Sequence, residues 1–98
     1  MVIVTATLQV AAEKLDEAIA ISLEHVRRSR AEPGCISHSL TQDTEDPTRL
    51  TFIERWQDRE ALATHFVVPE AVAFARTLGA LATSRTELAL YEAEPFTP

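Results

Sequence analysis

Polar and apolar residues change their spacing several times along the chain, and each change marks a new element. Residues 2–10, VIVTATLQV, are rich in β-branched side chains and alternate Val4, Ala6 and Leu8 with Thr5, Thr7 and Gln9, which predicts a strand partly buried on both faces. From Ala12 the period lengthens: Leu15, Ile19, Leu23 and Val26 recur three or four residues apart, the stripe of an amphipathic helix, with Glu13, Lys14, Glu17, Glu24 and Arg28 opposite it and His25 on its solvated side. Arg27, Arg28 and Arg30 crowd the end of that helix, where its dipole favours cations. Pro33 and Gly34 then stop it with the chemistry of a type II turn, in which the second central residue takes a positive φ. Residues 35–42, CISHSLTQ, return to a period of two, with Ile36, His38 and Leu40 on one side. A polar connection from Asp43 to Thr48 leads into a third strand, RLTFIERW (residues 49–56), with Leu50, Phe52, Glu54 and Trp56 on one face. Asp58 suits the N-cap of the next helix, whose apolar side is Leu62 and Phe66. Val67, Val68 and Pro69 interrupt it, and Pro69 fits the first turn of a new helix through Val72, Ala75, Leu78 and Leu81. Residues 83–93, TSRTELALYEA, alternate as a fourth strand, and residues 94–98 form a short tail.

The order β-α-β-β-α-β predicts an α+β, ferredoxin-like fold: a four-stranded antiparallel sheet with both helices on one face and the second helix split. Apolar residues on both faces of the strands imply that the side away from the helices is covered, most simply by the sheet of a second subunit. A length of 98 residues leaves room for one domain, spanning residues 1–98. The net charge of −6 with a single lysine, Lys14, lacks the basic footprint of a nucleic-acid binder. No apolar run is long enough to span a membrane, and no basic stretch precedes the first strand as in a signal peptide, so a soluble cytoplasmic protein is expected. Cys35 is the one cysteine and cannot form an internal disulfide; no Cys/His spacing along the chain suggests a metal. With only Gly34 and Gly79, a glycine-rich phosphate loop is lacking, so nucleotide and flavin cofactors are not indicated.

Two stretches carry a resemblance. EPGCISHSL (residues 32–40) and FIERWQDREALATH (residues 52–65), with Glu54, Trp56 and His65 as the most specific positions, resemble the antibiotic biosynthesis monooxygenase family of dimeric α+β barrel proteins. The resemblance implies a homodimer whose sheets pack face to face, and a pocket in each subunit between sheet and helices. It also implies a monooxygenase without a cofactor, converting a phenolic or hydroquinone-type small aromatic substrate with dioxygen. Other branches of the family degrade haem or isomerise small molecules. The haem-degrading branch uses an Asn on the first strand and a His on the second long helix; this chain has no Asn, and no His follows Pro69, although Trp56 matches.

Within that frame His65 is the candidate catalytic base, since an imidazole at the edge of an apolar pocket can take a proton from a phenolic hydroxyl. Its helical position, off the Leu62 and Phe66 side, does not require burial. Glu54 is the second catalytic candidate, because a carboxylate in mid-strand between Phe52 and Trp56 is costly to bury unpaired. It either orients His65 or meets a substrate hydroxyl, or else pairs with Arg49, Arg76 or Arg85 to support the fold. Trp56, Phe52, Phe66 and Phe74 are expected to wall the pocket, and His38 to face the pocket or the subunit contact. Two other readings remain open: a non-catalytic binding or stress-related dimer, and an isomerase of a small carbonyl compound using the same residues as acid and base.

Overall fold

In the structure, a computed structural model describing residues 1–98, β1 is Val2–Gln9, α1 Leu15–Ser29, β2 Cys35–Gln42, β3 Arg49–Trp56, α2 Arg59–Val67, α3 Pro69–Leu81 and β4 Glu87–Glu92. The first helical turn, Ala12–Lys14, is a 3₁₀ turn leading into α1. The strands form one antiparallel sheet in the order β2-β3-β1-β4, so β1 lies inside, flanked by β3 and β4. This is the α+β ferredoxin-like architecture that the segment order predicts.

Each punctuation mark in the sequence has its physical counterpart. Gly34 carries the chain through the turn at a φ of +83° and its carbonyl accepts from Gln57 N at 2.8 Å, fixing the start of β2 against the end of β3. Asp58 Oδ1 accepts from Ala61 N at 2.8 Å and so caps α2. Val68, extended at ψ 127°, separates α2 from α3, and Pro69 opens α3 where its missing N–H costs nothing.

The helix-facing side of the sheet is the core. Val4, Leu50 and Trp56 are fully buried there, with Val2, Leu8 and Phe52 beside them. α1 meets the sheet with a face of small residues, Ala18, Ser22 and Ser29, joined by His25 and Val26. The apolar core falls into two clusters, one around Leu8, Leu50, Phe52 and Leu78 and one around Val2, Val4, Trp56 and Leu62. Glu54 sits on β3 between Phe52 of the first and Trp56 of the second, so a polar seam divides the core.

Two sequence expectations need correction. β4 is shorter than residues 83–93, because Thr83 N bonds Gln9 O at 2.8 Å and Ala82 forms an isolated bridge to Val10, while Ser84–Thr86 run outside the sheet. Ile36 does not share a face with His38: the β2–β3 register skips it between Cys35 and Ser37, and the bulge leaves it 57% exposed. Exposed large apolar residues gather in two places: Phe66, Val67, Val72, Leu88 and Leu90 surround the edge between α2, α3 and β4, and Tyr91 stands on the open face beside half-buried Ile3 and Ile53, among Thr5, Thr7 and Thr51. No helix is long and apolar enough to cross a membrane.

Candidate functional site

A cavity of about 740 Å³ opens between the sheet and α3. Phe52, Phe66, Phe74, Ala71 and Leu78 supply its apolar wall, and His25, Glu54 and His65 its polar floor. Phe52, Phe66 and Phe74 therefore line the cavity, as do His65 and Glu54, while Trp56 and His38 stand behind the lining. Trp56 is fully buried with its ring 4.6 Å from that of His65, and the His38 ring lies 6.4 Å from Trp56 edge-on.

His65 is buried, contrary to the freedom its helical position allowed, because α2 crosses the β2–β3 end of the sheet and turns this residue inward. Its orienting partner is Glu32, which precedes the Pro33–Gly34 turn: His65 Nδ1 lies 2.8 Å from Glu32 Oε1. A carboxylate acceptor on Nδ1 fixes the proton there and leaves a lone pair on Nε2. Glu54 approaches His65 Nε2 only to 4.0 Å. Nor does Glu54 pair with Arg49, Arg76 or Arg85; its Oε1 accepts from Trp56 Nε1 at 2.9 Å and lies 3.4 Å from His38 Nε2. Burial opposes ionisation of Glu54, yet the neighbouring His38 ring and the Trp56 N–H outweigh it and hold the carboxyl below its usual range.

His25 is the largest departure from expectation. The helix turns it into the core, 5% exposed, with its ring stacked on Phe74 at 3.9 Å. Arg28 follows it inward, and Arg28 Nη2 stands 2.8 Å from His25 Nδ1. A guanidinium has only donors, so Nδ1 is the acceptor and the neutral ring carries its proton on Nε2. Burial first, then the neighbouring His38, His65 and Arg28, pushes the His25 pKa down to about 3, so the ring stays neutral at neutral pH. His65 and His25 thus have opposite tautomers, one with a lone pair and one with an N–H on Nε2.

Sequence spacing along the chain gave no sign of a histidine cluster, yet His25 from α1, His38 from β2 and His65 from α2 converge, with one ring nitrogen of each within 4.8 Å of the others. Both nitrogens of His38 are sealed from solvent without a hydrogen-bond partner. Cys35 packs beside Trp56 and Val2, and burial pushes its thiol up, which suits a packing residue rather than a nucleophile. Glu92 is exposed and pairs with Arg59 at 2.5 Å.

The sequence profile of the antibiotic biosynthesis monooxygenase family matches residues 1–77. An uncharacterized protein of Synechocystis sp., sll1783, is 33% identical over 91 residues; the match takes in 93% of this chain and 62% of that protein, so the chain spans less than two thirds of its relative. Among solved structures, an antibiotic biosynthesis monooxygenase at 29% identity superposes with a TM-score of 0.90, covering 97% of this chain and 100% of the other. A variant of SnoaB, a cofactor-independent oxygenase from Streptomyces nogalater, shares the fold at 22% identity, with a TM-score of 0.86 and coverage of 99% and 96%. The chain belongs to the antibiotic biosynthesis monooxygenase family.

Proposed function

We propose that the protein is a monooxygenase acting without a cofactor on a phenolic or hydroquinone-type small aromatic compound held in the cavity between Phe52, Phe66 and Phe74. The observation that carries this reading is the pair of opposite imidazole tautomers: His65, set by Glu32, with a lone pair, and His25, set by Arg28, with an N–H. A phenolic hydroxyl gives its proton to His65 Nε2, and the resulting oxyanion accepts from His25 Nε2–H. Because His25 stays neutral, it stabilises the anion without surrendering a proton to it. The electron-rich phenolate then reduces dioxygen; one oxygen atom enters the product, the other leaves as water, and all the electrons come from the substrate. Glu54 is part of the floor, and Trp56 supports it from behind.

Oxygen uptake with a panel of hydroquinones and phenols, comparing wild type with His65→Ala, tests this. Uptake that is lost in the variant is expected; no uptake with any substrate removes the enzymatic reading. The same donor and acceptor would also serve proton transfer in an isomerase of a carbonyl compound, and product mass separates the two, because an isomerase adds no oxygen atom. We infer in addition that the protein acts as a homodimer through the open sheet face carrying Ile3 and Ile53. Sedimentation should give twice the chain mass; a stable monomer at micromolar concentration would remove that inference.

A further inference from the structure

We propose that His38, His65 and Glu54 bind one divalent transition-metal ion, and that His25 donates a hydrogen bond to whatever ligand completes its coordination. The inference goes beyond the proposed oxygenation and does not depend on it.

The first ground is geometry. Glu54 Oε1 lies 3.4 Å from His38 Nε2 and 4.0 Å from His65 Nε2. Ligand atoms around a tetrahedral zinc ion stand about 3.3 Å apart when the bonds are about 2.0–2.1 Å, and ring nitrogens of His38 and His65 lie within 4.8 Å of each other, so the His38–Glu54 edge is already close to that spacing and the two edges to His65 must contract. The second ground is His38 itself, which is 2% exposed and has no hydrogen-bond partner on either nitrogen. The nearest acceptor to Nε2 is Glu54 Oε1 at 3.4 Å, too poorly placed to count as a hydrogen bond, and an ion between the two would give both atoms a common partner. The third ground is the outer shell. Glu32 holds His65 by Nδ1, the carboxylate–histidine arrangement that leaves Nε2 basic and aimed at a metal. Two imidazoles and one carboxylate, with coordination positions left open, suit divalent iron, cobalt, manganese or zinc.

His25 completes the cluster differently. Its Nδ1 is occupied by Arg28, so the proton sits on Nε2 and the ring enters as a donor, not as a fourth ligand. It suits a water completing the coordination of the ion. One consequence is exclusive: the His65 Nε2 lone pair serves either a substrate proton or the ion, so a bound ion blocks the proton transfer proposed above.

Cobalt(II) titrated into chelator-treated wild-type protein should give visible ligand-field bands that saturate at one equivalent. Zinc(II) should compete for the same place and slow any oxygen uptake. Binding should weaken by about 100-fold or more in His38→Phe and in Glu54→Gln, as expected when a ligand is lost from a site whose outer-shell changes alone cost 10–100-fold. Imidazole nitrogen spectra of the wild type with zinc should move Nε2 of His38 and His65 and leave the His25 Nε2–H in place, a readout that needs no variant to fold. Absence of saturable cobalt binding, or equal binding by folded His38→Phe, overturns the proposal. Cobalt binding without oxygen uptake would leave the metal site standing and remove the oxygenation; uptake without cobalt binding would do the reverse.

Discussion

Gly34→Ala is the substitution most informative about how the fold positions its chemistry. A Cβ at this residue would lie 2.5 Å from Ala61 Cβ, and the backbone holds φ at +83°. An L-residue forced into the left-handed region loses about 1–2 kcal/mol. Overpacking against a helix adds about 1–3 kcal/mol when neighbours must shift, and here the neighbour is the β-carbon of a short side chain with no rotamer to escape into. A stiffer unfolded chain returns about 0.4–1 kcal/mol. The net expectation is a loss of about 1–5 kcal/mol, measured as a fall in the urea midpoint at unchanged slope. Ala61 precedes His65 by one helical turn, so movement of α2 also carries the His65–Glu32 contact and should lower oxygen uptake beyond the change in folded fraction. Gly79→Ala is the control: in the last turn of α3 with nothing within 4 Å of the added carbon, it should gain up to about 0.5 kcal/mol, the low end of the mid-helix value. If Gly34→Ala is as stable as wild type, the close approach of turn and helix is not what seats α2, and the reasoning fails.

Trp56→Phe strips the donor from buried Glu54, which alone should cost about 1–3 kcal/mol in denaturant unfolding, and the space left by the smaller ring at this fully buried position adds to the loss. Glu32→Gln replaces a charged acceptor on His65 Nδ1 by a neutral one and should reduce the turnover rate about 10-fold while leaving the circular dichroism spectrum unchanged. For His25 the folded pKa of about 3 lies below the ordinary value of 6.5, so the unfolded chain binds the extra proton between these limits. Its contribution to stability is complete above pH 6.5 and is lost as pH falls toward 3, at a slope of up to about 1.4 kcal/mol per pH unit; His25→Phe should flatten the acid limb of a stability profile measured in chelator. Asp58→Ala removes the cap of α2 and should cost about 0.5–2 kcal/mol by thermal or urea unfolding.

Local rules made the order of elements legible. Pro69 splits the second helix, Asp58 caps α2, and Gly34 takes the positive φ that its turn requires, each because a single residue's backbone or side chain decides the outcome. His25 was misplaced for a definable reason. The buried face of α1 runs through Ala18, Ser22, His25 and Ser29, spaced four, three and four apart, but small residues carry little weight in a hydrophobic stripe, and Leu23 drew the stripe aside. His38 was complicated by the bulge at Ile36, which puts Cys35 and His38, three residues apart in a strand, on the same face. Glu32 carries no local signal at all; its role arises only when the turn before β2 meets α2. Periodicity reports which side of an element is buried, not which groups from three elements meet there.

β4 is one of the two edge strands and the more exposed of them: five of its six residues are exposed. It is also the part that lies past the residues matching the family profile. Leu88 and the neighbouring Ser84–Thr86 segment form one wall of the cavity, whereas the His25, His38, Glu54 and His65 cluster is anchored on α1, β2, β3 and α2. Edge strands with few buried contacts open at lower free energy than the core. Amide exchange should therefore be faster in β4 than in β3, and its fraying would admit a ligand without disturbing a single contact among the buried imidazoles. Passage into the cavity and the chemistry at its floor are in this way entrusted to separate stretches of chain, free to vary independently of each other.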